Sequence, residues 1–261
     1  MHPHRQIVAV LLAAVFCLCL GSFAAGEVIQ HGGIRVSFKS TLTPSRLPRH
    51  GAAPVRVAVA AKIAGTGGAK PPLLRRIEIA INRHGTFDPT GLPLCRLRDI
   101  QPTTNADALR ACRSSLIGEG QFSAQVGFTG QAPFPARGKI LAFNGTDHGA
   151  PAILAHIFGT DPAPTSYTLP FLIKPSKGTF GTVLTAALPD AAGTSGYITG
   201  ISLSLGRSFS YRGARRSYLS ADCPAPSGFP GAVFPFARAS FGFAGGKTLT
   251  SIVTRSCKVS E

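Results

Sequence analysis

The chain has 261 residues, of which 27 are Lys or Arg and 11 are Asp or Glu, giving a formal net charge of +16. Thirty glycines, 21 prolines and no tryptophan accompany a charged fraction of only 15%; this composition suits turn-rich extended structure and argues against a helical bundle or coiled coil. Such a positive balance favours polyanionic surroundings, whether anionic cell-wall polymer, lipid headgroup or nucleic acid.

His2, His4 and Arg5 precede an apolar run over residues 7–20, and small residues follow at 22–26. This is the pattern of a secretory signal, and the run is too short to span a bilayer. A lipoprotein anchor is disfavoured because Phe16 and Leu18 stand before Cys17 and Cys19, where a small residue is needed. Residues 1–25 are therefore read as a leader and 26–261 as one β domain. A subdivision near 118–120 is the alternative, since each side would keep one cysteine pair.

Strand alternation begins with Ile34, Val36 and Phe38, interleaved with Arg35, Ser37 and Lys39. It resumes at Val55, Val57 and Val59, and again at Ile77, Ile79 and Ile81, with the period of two that a half-buried strand requires. If these three strands share a sheet, Arg35, Lys39, Arg56, Lys62 and Arg76 lie on its outer face. Thr104 followed by Asp107 has the spacing of a capping box and marks the one convincing helix. Phe122, Ala124, Val126 and Phe128 form the next row, and strands follow at 139–143, 152–158, 167–173 and 180–188. Residues 153–158 are apolar on both faces apart from His156, as in a central strand. Pro170 places its own strand at an edge or a bulge.

Tyr197, Ile201, Leu203 and Leu205 alternate with Gly200, Ser202 and Ser204. Arg212 to Arg215 reads as a hairpin tip, and Leu219, Ala221 and Cys223 return in one row. Ala239, Phe241 and Phe243 turn at 244–247 and are answered by Leu249, Val253 and Cys257. Around Pro235 the parity changes, which predicts a bulge. About ten strands and one short helix give an all-β fold, expected as a two-sheet sandwich stapled by disulfides.

Four cysteines lie beyond the leader: Cys95, Cys112, Cys223 and Cys257. An even count in an exported chain points to disulfides, with three connectivities open. Cys95 with Cys112 and Cys223 with Cys257 is favoured because each pair closes a short loop. Neither C-x-x-C nor neighbouring histidines occur, so no metal and no cofactor is expected.

The densest candidate site is Arg207, Arg212, Arg215 and Arg216 with Tyr211 and Tyr218 at the predicted hairpin. Guanidinium forks match phosphate and carboxylate oxygens, and the tyrosines offer stacking faces. GFAGGKT over 242–248 is not a phosphate loop, because Phe241 stands where the motif needs glycine. Asp147, His148 and His156 show no nucleophile motif, so no catalytic residue is assigned. Nucleic acid is disfavoured because the basic strands carry no interleaved aromatics.

The block SLSLGRSFSYRGARRSYLSADCPAPSGFPGAVFPFARASFGFAGGKTLTSIVTRSCKV resembles the carboxy-terminal signature of secreted β-rich proteins of high-GC Gram-positive bacteria, and LRRIEIAINRHGTFDPTGLPLCRL is similar to their amino-terminal half. The resemblance implies export and a single architecture, and carries no activity with it. The expected function is a secreted, noncatalytic binding or structural module at the cell envelope, contacting anionic wall polymer or another polyanion. The alternative is a secreted hydrolase acting on wall or environmental polysaccharide.

Overall fold

A computed structural model describes residues 27–127, 131–161, 163–188 and 196–260. The expected leader lies outside these residues, as does Phe128. The strands β1 (Glu27–His31), β2 (Ile34–Thr43), β3 (Arg46–Pro48), β4 (Ala53–Pro54), β5 (Arg56–Gly65), β6 (Leu74–Asn82), β7 (Gly85–Phe87) and β8 (Cys95–Arg96) come first. A helical turn, α1 (Leu97–Ile100), and a helix, α2 (Asn105–Cys112), follow. The longer strands come next: β9 (Leu116–Val126), β10 (Phe134–Asp147), β11 (Ala150–Gly159), β12 (Thr165–Pro175), β13 (Phe180–Ala187) and β14 (Tyr197–Leu205). The chain ends in β15 (Ser208–Tyr211), β16 (Ala214–Ser217), β17 (Leu219–Ala221), β18 (Gly231–Phe243) and β19 (Thr248–Ser260).

The fold is all-β, and its long strands join one curled sheet in the order β1-β2-β5-β14-β9-β10-β11-β12-β13-β6-β18-β19-β3. The two layers of the expected sandwich are the halves of this sheet. Its first strands come round beside β19, where Ser251 donates to Glu27 Oε2 at 2.9 Å and Arg255 donates to the Ser40 carbonyl. Side chains close this seam, since the described β1 and β19 share no ladder. Glycine permits the tight curl. A Cβ on Gly120 would fall 1.9 Å from the Ser202 carbonyl oxygen of β14, and one on Gly138 would meet the Phe122 ring at 2.2 Å.

Alternation decides what faces inward. Ile34, Val36 and Phe38 of β2 pack with Ala61 and Ile63 of β5 against Ile77 of β6, Phe241 of β18 and Val253 of β19. Farther along, Ile140, Ala155, Leu169 and Ala186 form the interior with Phe122, Ile201 and Leu203 around them. The outer face of β10 and β11 is also buried, because Leu141, Phe143 and Leu154 lie under Ile100, Ala108 and the Cys95–Cys112 bond. Thr104 caps α2, its Oγ1 accepting from the Asp107 amide at 3.2 Å.

The second disulfide is Cys223–Cys257. The parity change near Pro235 is a register shift between Pro235 and Ala237 in the β18–β19 ladder. A second shift, between Ile198 and Gly200, was not expected. It brings Ile198 into the inward row with Ile201 and Leu203, the place that alternation had given to Tyr197. Strand β9 runs unbroken through residues 118–120.

Candidate functional site

The predicted hairpin forms as β15 and β16, with Arg212 at φ 51° and Gly213 at φ 77° in its two-residue loop. Positive φ at both positions is the geometry that matches the twist of paired strands. The hairpin does not gather all six candidate residues. Tyr218 is a correction: its ring is fully buried, edge-on to Phe87 with centroids 5.8 Å apart, and burial pushes its hydroxyl pKa above the usual tyrosine range. Tyr211 packs against the backbone of Gly91, and the Arg212 guanidinium lies 5.2 Å from its ring centroid. Arg216 donates to Asp88 Oδ2 at 3.2 Å. Hydrogen bonds from Thr90 chiefly hold Asp88 below the ordinary carboxylate range, and Arg216 adds to them. Arg215 is exposed.

Arg207 is set apart at the base of the hairpin, donating to the Leu116 carbonyl at 2.6 Å and the Arg113 carbonyl at 3.2 Å. It stands at one end of a second, larger feature. The register of the sheet aligns Lys39, Ala60, Ser202, Gln121 and Lys139 in one row across β2, β5, β14, β9 and β10. A neighbouring row runs Ser37, Lys62, Gly200, Ser123 and Arg137, and a third brings Thr41, Ala58, Ser204 and Glu119 together. Paired residues share a face, so the small side chains of β5 and β14 make a low floor. Lys39, Arg137 and Lys139 on the flanking strands rise at its sides, and Arg56 and Lys62 stand on β5 itself.

The result is a shallow groove on the outer face, about 1090 Å³ in its widest part. It continues past Lys39 and Ser204 to Arg56, Arg113 and Arg207. Seven cations and one acid, Glu119, line it along this length. Glu119 pairs with Lys139 at 2.7 Å. Among the described residues, Lys39, Arg56, Lys62, Arg113, Arg137 and Arg207 have no carboxylate within 4.0 Å. The expected basic face thus exists on β2 and β5, but Arg76 does not share it, because β6 pairs with β13 and β18 in the opposite half of the sheet.

The residues weighed for catalysis are dispersed. His148 projects from the β10–β11 turn with its side chain 95% exposed, 3.7 Å from Asp147. His156 is buried under α1 and α2 beside Thr168; burial pushes its pKa below the usual imidazole value, weakly opposed by the Ile100 carbonyl. A pair that sequence reasoning missed is His84 and Asp222, whose Nδ1 and Oδ2 are 2.7 Å apart. Such a contact orients an imidazole in catalytic triads. Among the described residues, however, no hydroxyl or thiol is hydrogen-bonded to its other ring nitrogen, so the pair ties β7 to the end of β17. No helix of the described chain is long and apolar enough to cross a membrane. No known protein family matches the chain, and neither curated proteins nor solved structures show a significant similarity to it.

Proposed function

We propose that the protein is an exported, noncatalytic binding module that holds an extended anionic polymer of the cell envelope in the groove across β2, β5, β14, β9 and β10. The observation that carries this reading is the excess of cations along a floor of alanine, serine and glycine. A long, shallow trough with charge at its sides accepts a chain rather than a compact molecule. The outward residues Ala58, Ala60, Gly200, Ser202, Ser204 and Gln121 give hydroxyls and an amide for hydrogen bonds but no aromatic ring on which a base could stack. Export rests on the leader-like residues 1–25 and on two disulfides, which persist in oxidising compartments. Arg212, Arg215 and Arg216 lie beyond the Arg207 end and would extend the contact.

The test is sedimentation with isolated Gram-positive cell walls at two ionic strengths, repeated with soluble polyphosphate and polygalacturonate to separate phosphate from carboxylate recognition. Binding should weaken steeply with salt, because exposed charge pairs are screened within about 10 Å at 0.1 M. Changing Lys39, Lys62, Arg137 and Lys139 together to Ser should remove most of it. Changing Arg212, Arg215 and Arg216 to Ser should remove less. Retention indifferent to salt and to the groove substitutions would refute the reading.

A further inference from the structure

The inner face of the same strands is not filled. A cavity of about 340 Å³ lies between β9, β14 and β12, bounded by Phe122, Ile140, Ile157, Leu169, Ile198 and Leu203. A deeper one of about 110 Å³ continues it past Phe171, Ile201 and Leu203, which line both. Protein interiors are ordinarily packed with few voids larger than a water. Here large apolar residues that point inward, among them Phe122, Ile157, Phe171, Ile198, Ile201 and Leu203, are only half-buried.

Two features of the chain keep this space open. Ala124 and Ala155 face the cavity, where a larger residue would fill it. Among the described residues the β12–β13 ladder ends at Leu172 and Thr185, where β12 parts from Ala186 and Ala187 of β13. Pro170 has no amide proton to offer a ladder and stands two residues beyond that last pair. The mouth lies at this parting, rimmed among the described residues by Leu73, Arg75, Gln125, Thr165 and Tyr197. Leu73 is 37% exposed.

We infer that this cavity is a second binding site, for a single-chain lipophile with a small polar head, its hydrocarbon inside the sheet and its head at the mouth. Among the described residues neither part of the cavity is lined by Asp or Glu, and a hydrocarbon chain meets apolar wall along its depth. An apolar cavity of about 150 Å³ stays dry and takes up benzene; this one exceeds twice that volume. The site is distinct from the groove, because the two use opposite faces of β9 and β14.

The experiment uses the purified, oxidised chain with cis-parinaric acid as the fluorescent probe and palmitate and hexadecanol as competitors. Saturable binding at one site per chain is expected, with displacement by both. Ala155→Phe fills the cavity and should weaken the probe by roughly tenfold or more, the loss of contact with about two methylenes, while leaving the thermal midpoint unchanged or raised. Ala124→Leu serves the same purpose if Ala155→Phe fails to fold. Absence of saturable binding would overturn the inference. So would probe binding that survives the cavity fillings but vanishes at high salt or with the groove substitutions, since that locates the fatty acid on the basic surface. Failure of wall binding alone leaves this result intact, because none of the four cations changed in the groove lines the cavity.

Discussion

Arg255→Met tests how the curled sheet is closed. Arg255 projects from β19 to the carbonyl of Ser40 in β2, with Nε at 2.8 Å and Nη2 on the same oxygen. Among the described residues β1 pairs with β2 as far as Glu27 with Phe38, and the guanidinium reaches β2 at Ser40, two residues beyond that pair. The side chain is half-buried, and burial lowers its pKa against the opposing pull of Glu27. A charged donor on a buried carbonyl contributes about 1.5–3 kcal/mol net. Both donors share one acceptor, so they count as one interaction near the lower end, about 2 kcal/mol. Methionine keeps much of the stem and removes the donors, while lysine restores the charge as a point donor that cannot form the fork. Equilibrium urea unfolding should therefore show Arg255→Met destabilised by about 2 kcal/mol and Arg255→Lys by about half of that. Native-state hydrogen exchange should accelerate in β1 and β2 and stay unchanged in β10 and β11. Arg238→Met is the control: its nearest carboxylate, Glu78, is 3.9 Å away at the surface, so it should cost less than about 1 kcal/mol. A loss below about 0.5 kcal/mol for Arg255→Met, or exchange that rises uniformly, would refute side-chain closure.

The two disulfides close loops with sequence separations of 17 and 34. Removing them as Cys→Ala pairs should cost about 3 and about 4 kcal/mol by loop entropy, read from denaturant midpoints. His156, whose pKa is lowered in the fold, favours the native state fully above its unfolded value of about 6.5. That contribution is lost as pH falls through the lower folded value. The denaturation midpoint should therefore drop between pH 7 and pH 5, and His156→Leu should flatten the slope; an equal slope in both proteins would assign the effect elsewhere.

Local features were readable because local physics decides them. Alternation located the long strands, Thr104 and Asp107 marked the cap of α2, and Arg212-Gly213 had the chemistry of a tight hairpin loop. Pro235 announced its bulge by a change of parity. The pairing of distant strands was not readable, since apolar rows do not name their neighbours. Arg76 left the basic face for that reason, and the groove emerged only when β14 was found between β5 and β9. His84 and Asp222 are separated by 138 positions, and nothing in either neighbourhood points to the other. Tyr218 sits beside a row read correctly as buried, which placed it outward by parity. It is buried instead because the chain passes there from β16 into the small sheet of β4, β17 and β7.

Strand β14 shows why register matters more here than in an ordinary half-buried strand. Its even residues, Gly200, Ser202 and Ser204, floor the groove, and its odd residues, Ile201, Leu203 and Leu205, face the interior. Because the side-chain period is two, a slip of one position would place serine against the apolar cavity and leucine on the groove floor. The β5 ladder fixes one side, from Gly200 with Lys62 to Leu205 with Val57. On the other side the shift at Thr199 takes up one residue against β9, returning Ile198 to the inner face before the strand ends. Gly118 and Gly120 make the same register a steric requirement. Side chains there would strike the backbone of Ser204 and Ser202, so β14 can press against β9 closely enough to curl the sheet only in this alignment. The low floor of the outer groove and the close approach of β14 to β9 therefore have one cause, in the small residues of these two strands.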